Sequence, residues 1–294
     1  MFAHYLLKKQ TEPLANSPTL LKHKKEGKRK KKVHGKMNNF CLLFFSSFVF
    51  ANAKEIELSS WMSLANSVTR DQPITTLAIP GSHDSFAYWF DLDRSWGPDS
   101  GEFSSVLSIA SKMVGPTNLR QLLMRWSMTQ TLDATGQLNY GVRFFDVRTS
   151  YDTVTDTFRI IHMLWSVGVE QEMLKIDEFL DKHLGEVVIL DFNHFYQMTP
   201  QLHRRFIDSL LSIFGMKIIS SKFWKISDLT LNNLAQTTTT KQQVVIIYHD
   251  PLGVEYSNEV FWSEEFISNP WPNKQNVTDL IYFLDAVRIF RFYF

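Results

Sequence analysis

The chain has 294 residues, 44% of them hydrophobic and 14% aromatic, and a formal net charge of +1. That is ample apolar mass for the core of one large domain or two small ones. The charge is unevenly spread: residues 1–53 hold 11 Lys/Arg against 2 Asp/Glu and the remainder 20 against 28, so the body is mildly acidic, which argues against a nucleic-acid-binding surface.

In chain order, residues 1–36 are polar and Lys-rich, with the run Lys28–Lys32 towards their end, and read as a basic disordered leader. Residues 37–53 then combine Met37, the apolar run Phe40–Phe50 and the small-x-small site Ala51-Asn-Ala53, the layout of a secretory signal peptide. The run is too short to span a bilayer as a helix, which takes about 20 residues. The expectation is a start at Met37, cleavage after Ala53 and export; otherwise the basic run is a nuclear-type arm and the protein stays in the cytoplasm. The single cysteine, Cys41, lies in this leader, so the body offers neither a disulfide framework nor a Cys-based metal site. Asn276-Val-Thr278 is a glycosylation sequon, a common chance tripeptide.

Within 54–294, Ile74–Pro80 is predicted as a short strand ending in Gly81-Ser-His-Asp84, followed by a loop at 91–105 and helix-like spacing over Leu119–Arg125 and Leu132–Leu138. Val142–Val147 and Arg159–Leu164 are the next strand candidates. Glu172–Leu184 is predicted as an amphipathic helix with Met173, Ile176, Phe179, Leu180 and Leu184 on one face and Lys175, Glu178 and Lys182 opposite, closed by Gly185. Val187–Phe192 is a strand, Gln201–Ile213 a helix, Thr237–Thr240 a loop, Gln243–Tyr248 a strand and Asp279–Phe294 helix-like. Apolar strands separated by helices predict a parallel sheet covered on both faces. Polar residues gather where the strands end, at His83-Asp84, Asp146 and Arg148, Asp191, Asn193-His194 and His249-Asp250; in a barrel of β/α units that rim carries the active site.

Breaking a phosphodiester without a metal needs a base, an acid and a cation. His83 and His162 supply two imidazoles suited to the first two roles near neutral pH. Arg148 supplies a permanently charged donor fork. Alternation puts Asp146 and Arg148 on one face of a strand, and Asp191 and Asn193 on one face of another, with His194 pointing away as a structural residue. The alternative for Asp146 and Arg148 is a simple rim ion pair.

Ile79–Phe86, Trp126–Gln130, Gln137–Arg148 and Glu186–Tyr196 together resemble, in order, the X domain of phosphatidylinositol-specific phospholipase C, most nearly its X-domain-only animal branch. The resemblance runs from about Trp61 to the end. It implies an α/β fold, a TIM-type (β/α) barrel incomplete at its C-terminus. It also implies cleavage of a membrane phosphoinositide into diacylglycerol and cyclic inositol phosphate, with peripheral membrane contact; the acidic body already argues for no nucleic-acid partner. By the same resemblance His83 is the general base on the inositol 2-hydroxyl and His162 the general acid on the glycerol oxygen. Asp84 supports the second histidine, Arg148 is the cation beside the phosphate, and Asp146 orients that arginine or the hydroxyl. From their shared strand face, Asp191 and Asn193 are expected on the substrate side, the alternative being a structural hydrogen-bond role. Calcium-dependent relatives are acidic where Arg148 stands, so no metal and no cofactor are expected. Two departures stand out. Met163 follows the second histidine where the family has glycine. The further carboxylate that partners the first histidine belongs to strands beyond Phe294, which leaves that base without a partner. These departures support the alternative of an inactive barrel that binds a phospholipid head group or a protein.

Overall fold

The computed structural model describes residues 57–235, 242–267, 274 and 276–291. The leader segments 1–36 and 37–53 and the loop Thr237–Thr240 lie outside them. Among the described residues six strands form one sheet: β1 Gly81–Ser82, β2 Phe144–Asp152, β3 Thr157–His162, β4 Leu164–Gly168, β5 Val188–Tyr196 and β6 Val244–Tyr248. β1, β2, β5 and β6 are parallel and lie side by side in chain order. A doubly wound sheet would reverse direction at a switch point; this order does not, and the fold is a partial α/β barrel. Beyond β6, Trp262 continues the order by one parallel bridge to Ile247.

Two strand expectations are corrected. Ile74–Pro80 is not a strand: Ile74–Thr76 forms a single 3-10 turn and only Gly81–Ser82 pairs with β2. Pro73 and Pro80 bracket the run and cannot donate to a ladder, and Pro80 instead accepts from the backbone N–H groups of Arg143 and Phe144. At Gly81 the two chains approach so closely that a Cβ would lie 3.1 Å from the Phe144 side chain. Secondly, Arg159–Leu164 does not continue the parallel order. β2, β3 and β4 form an antiparallel meander, because the connection after β2 is a tight turn. Asp152 accepts from the Val154 N–H and the Thr155 hydroxyl, and Asp156 takes φ +54°. A parallel crossover needs a dozen residues or more.

Five helices cover one face, while the short helix Leu231–Ala235 adds Leu231 and Leu234 to the core on the other. α1 (Ser104–Val114) and α2 (Pro116–Ser127) fill the long β1–β2 connection, followed by α3 (Ala134–Asn139). α4 (Val169–Lys182) and α5 (Pro200–Phe214) cross between the later strands. α5 starts where Thr199 accepts from the Leu202 N–H, with Pro200 in the first turn. Met173, Ile176, Phe179 and Leu180 of α4 and Phe206, Ile207 and Leu210 of α5 pack with Val188, Leu190 and Phe192 of β5. Leu184 departs from the expected stripe; it lies past the helix end and is exposed. Lys175 is not free on the outer face either, since it pairs with buried Glu172 and with Asp133.

On the other face each strand changes character along its length. Phe144, Ile189, Val245 and Ile247 pack with Met62, Ile74 and Leu229 in a second core. The next inward positions are Asp146, Asp191 and His249, which line an open cleft. Alternation thus delivers apolar residues to the bottom of the barrel and polar ones to its carboxyl-terminal rim.

The bottom is closed by one buried ion pair. Arg143, fully buried, bonds Glu186 from Nε (3.0 Å) and Nη2 (2.8 Å) and donates to the carbonyls of Leu138, Val142 and Ser59. Glu186 also accepts from the Ser63 N–H at 2.8 Å. The pair therefore ties the 58–63 segment to β2 and β5. Removing one partner leaves an uncompensated buried charge. Glu186→Leu is expected to lower stability by about 3–5 kcal/mol in equilibrium urea unfolding; a loss under about 1 kcal/mol, the value of an exposed pair, would contradict this role.

Candidate active site

β1 ends in a turn that runs against usual backbone preference. Asp84 has φ +46° and Phe86 φ +69°, a left-handed region that aspartate tolerates and phenylalanine does not favour. Surrounding bonds hold the turn. Ser85 N–H donates to the Asp146 carbonyl (2.7 Å), and the Ser82 and Ser85 hydroxyls are 2.6 Å apart. The Thr129 hydroxyl donates to the Asp84 carbonyl (2.8 Å) and Gln130 to the His83 carbonyl (3.0 Å). The Trp126–Gln130 segment, noticed in the sequence only as part of a resemblance, is thus a buttress for the His83 turn.

Asp84 is the hub. Its Oδ2 lies 3.2 Å from His83 Nε2 and 3.4 Å from His162 Nε2, and its Oδ1 lies 2.5 Å from Arg148 Nε. The two Nε2 atoms are therefore no more than 6.6 Å apart, the sum of their contacts to one oxygen. The opposite ring nitrogens are held as well. His162 Nδ1 is 2.9 Å from the Ser127 carbonyl, which can only accept, so Nδ1 carries the hydrogen and Nε2 faces Asp84. His83 Nδ1 is 2.6 Å from Asp146 Oδ2.

That last contact corrects two expectations. Of the two roles expected for Asp146, orienting Arg148 is not what is seen: Asp146 partners the His83 ring, while Arg148 pairs with Asp84. Nor does His83 lack a carboxylate: β2 runs beside β1, so its inward Asp146 meets the turn directly. Burial pushes the Asp146 carboxyl up, but hydrogen bonds from Asn193, the Asp84 N–H and His83 outweigh it and hold the group below the usual carboxylate range.

Asn193 donates to Asp146 at 2.5 Å and to Asp191 at 3.3 Å. Together with Gly81, Ser82, His83, Phe144, Arg148, His194 and His249, these three line a cleft of about 670 Å³. His162 stands outside that lining, across Asp84. The expectation that His194 points away is wrong. The β2–β5 register slips between Val147 and Arg148, so Asn193 is an extra residue and His194 comes level with Arg148. A bulge resets strict alternation. Burial, and then the Arg148 charge, hold the His194 imidazole below its ordinary value.

His249 is the cleft residue that sequence reasoning left without a role. It was visible as a polar residue at a strand end, but its partner is reached only through the β5–β6 pairing, where Nε2 meets Asp191 Oδ1 at 2.7 Å. The hydrogen bond to Asp191 raises its pKa against the opposing effect of burial. A histidine whose folded pKa is raised stabilises the fold below its unfolded value, ordinarily 6.5, and loses that contribution as pH climbs through the folded value. The melting-temperature advantage of the native chain over His249→Gln is accordingly expected to be greatest below pH 6.5 and to shrink above it. An advantage that grows with pH in differential scanning calorimetry would contradict the pairing.

The chain was compared with known proteins, and no family model matches it. It is 35% identical over 237 residues to PI-PLC X domain-containing protein 2 of Mus musculus, covering 80% of this chain and 66% of the relative. It is likewise 35% identical over 235 residues to PI-PLC X domain-containing protein 3 of Homo sapiens, covering 79% and 70%. The chain thus spans about two thirds of the length of these relatives. Among solved structures it is similar to the phosphatidylinositol-specific phospholipase C from Listeria monocytogenes, with a TM-score of 0.44, 18% identity, and coverage of 66% of this chain and 58% of that one. The enzyme of the same description from S. aureus gives a TM-score of 0.40 at 17% identity, covering 65% and 52%. On the identity and coverage of its sequence relatives, the chain belongs to the PI-PLC X domain-containing protein family.

Proposed function

We propose that the chain is a phosphodiesterase that cleaves a phosphoinositide at the membrane surface into diacylglycerol and cyclic inositol phosphate. The observation that carries this reading is the pair of imidazole Nε2 atoms meeting one Asp84 oxygen, with the Arg148 guanidinium on the other. Two nitrogens within 6.6 Å can take opposite sides of a single phosphate. Membership of the PI-PLC X domain-containing family supports the same reading.

In this reading Asp146 fixes His83 by its Nδ1, which leaves Nε2 to take the proton of the inositol 2-hydroxyl. The hydroxyl oxygen attacks phosphorus, and the bond from phosphorus to the glycerol oxygen breaks. His162, oriented by the Ser127 carbonyl, gives its Nε2 proton to that departing oxygen. Arg148 stabilises the charge gathering on the phosphoryl oxygens. Asp191, Asn193, His194 and His249 face the ring hydroxyls. His83, Asp84 and Asp146 also place ligand atoms within 4.8 Å of one another, a spacing a divalent cation could use. The Arg148 charge already on Asp84 opposes a cation there, so the reaction is proposed to run without a metal.

The full chain, assayed on phosphatidylinositol vesicles with EDTA present, is expected to release cyclic inositol phosphate. His83→Ala should lower that rate by about 10³-fold or more, as loss of a base acting in a catalytic unit does. Turnover by His83→Ala at the native rate, or turnover that appears only when calcium is added, would overturn the corresponding part of the proposal.

A further inference from the structure

The residue after His162 is held in an unfavourable conformation by a loop far away in sequence. Met163 joins β3 to β4 with φ +58°, a region that suits glycine and is disfavoured for an unbranched apolar side chain. Both of its backbone polar groups are captured by residues 97–100, where the loop expected over 91–105 instead winds into the 3-10 helix Pro98–Phe103. Asp99 Oδ2 accepts from the Met163 N–H at 2.5 Å, and the Gly97 N–H donates to the Met163 carbonyl at 2.9 Å. The loop is closed on itself, since Ser100 donates to the Gly97 carbonyl from its hydroxyl (2.6 Å) and its N–H (3.0 Å). It is also seated tightly against β3: a Cβ at Gly97 would lie 2.6 Å from Ile161 Cδ1. Asp99 Oδ1 is buried with no hydrogen-bond partner. Burial raises the pKa of this carboxyl, while the Met163 N–H and the charges of His162 and Arg148 oppose that shift.

We propose that Asp99 is a positioning residue for the proposed reaction: it pins the Met163 backbone and thereby fixes where β3 presents the His162 ring to Asp84. This rests on the phosphodiesterase reading above, which assigns His162 the acid role. The ring has its own anchor at the Ser127 carbonyl, but its Cα is one residue from the clamped peptide, so release of Met163 moves the point from which the ring projects. The device compensates for a side chain where glycine would sit without strain. It therefore predicts a specific coupling between Asp99 and Met163 that neither a charge effect nor general destabilisation would produce.

The test compares Asp99→Ala, Asp99→Asn, Met163→Gly and the double variant Asp99→Ala/Met163→Gly in the full chain. Two readouts are used: kcat and KM on phosphatidylinositol vesicles, and the His162 ring signal in ¹H–¹³C NMR. Asp99→Ala should lower kcat by about 10- to 100-fold, the scale of a small misplacement of a catalytic group, with KM nearly constant. Asp99→Asn keeps an oxygen that accepts from Met163 and should stay within about threefold of the native kcat. In the Met163→Gly background, loss of Asp99 should cost less than about threefold, because glycine holds the conformation unaided. Equal losses in Asp99→Ala and Asp99→Asn would assign the effect to charge and overturn the proposal, as would an Asp99→Ala cost that is the same in both backgrounds. Should the native chain show no turnover, the phosphodiesterase reading falls and the ring signal decides this inference separately. Displacement of the His162 signal in Asp99→Ala, with return to the native position in Asp99→Asn, supports the clamp; an unmoved signal in Asp99→Ala refutes it.

Discussion

A single carboxylate, Asp84, sets the geometry of the site. It is almost fully buried, and its charge is offset by the charged and ionisable groups packed against it. Its partners are two imidazoles at the ends of β1 and β3 and one guanidinium from within β2. Both imidazoles are in turn held from behind, His83 by Asp146 and His162 by the Ser127 carbonyl, and Asp146 is itself held by Asn193. Displacing one member leaves charge or donor capacity uncompensated in a half-enclosed space. The site therefore behaves as one unit whose orientation is settled before a substrate arrives, which is the condition under which fixed dipoles and charges contribute most to catalysis.

The sheet makes this arrangement possible. Parallel strands in chain order bring Asp84, Asp146, Asp191 and His249 to one rim although they lie as much as 165 positions apart in the chain. The same inward faces are apolar nearer the bottom, where the Arg143–Glu186 pair closes the barrel. Stability and chemistry are thus separated along each strand. Some backbone strain lies at the chemical end: Asp84, Phe86 and Met163 all have positive φ, and all lie in or next to the site. Surrounding bonds offset such strain, of order 1–3 kcal/mol per residue.

Much of this was legible in the sequence. Asp146 and Arg148 share a face because β2 alternates undisturbed between them, and both do line the cleft. The apolar, β-branched run 187–192 marked a strand, found as β5, and the α4 stripe Met173–Leu180 followed from helical periodicity. What was not legible depended on events that periodicity does not encode. A bulge at Asn193 turned His194 inward, and a tight turn at 152–157 made Arg159–Leu164 part of an antiparallel meander. Prolines at both ends reduced the Ile74–Pro80 run to a 3-10 turn. The partner of His83 was sought in later strands because strand neighbours cannot be read from a one-dimensional pattern; β2 supplied it. Asp99 carried no sequence signal at all, since a single aspartate in a loop of Asp, Ser, Gly and Pro is unremarked until its contact with Met163 is seen.

The account stands on His83 and His162 sharing one anion. Titrating inorganic phosphate into the full chain while following both histidine ring signals by NMR tests that most directly. Binding of one phosphate between the rings shifts both signals along a single saturation curve with a common midpoint. Rings that respond with separate midpoints, or one ring that moves while the other stays still, would contradict a shared site.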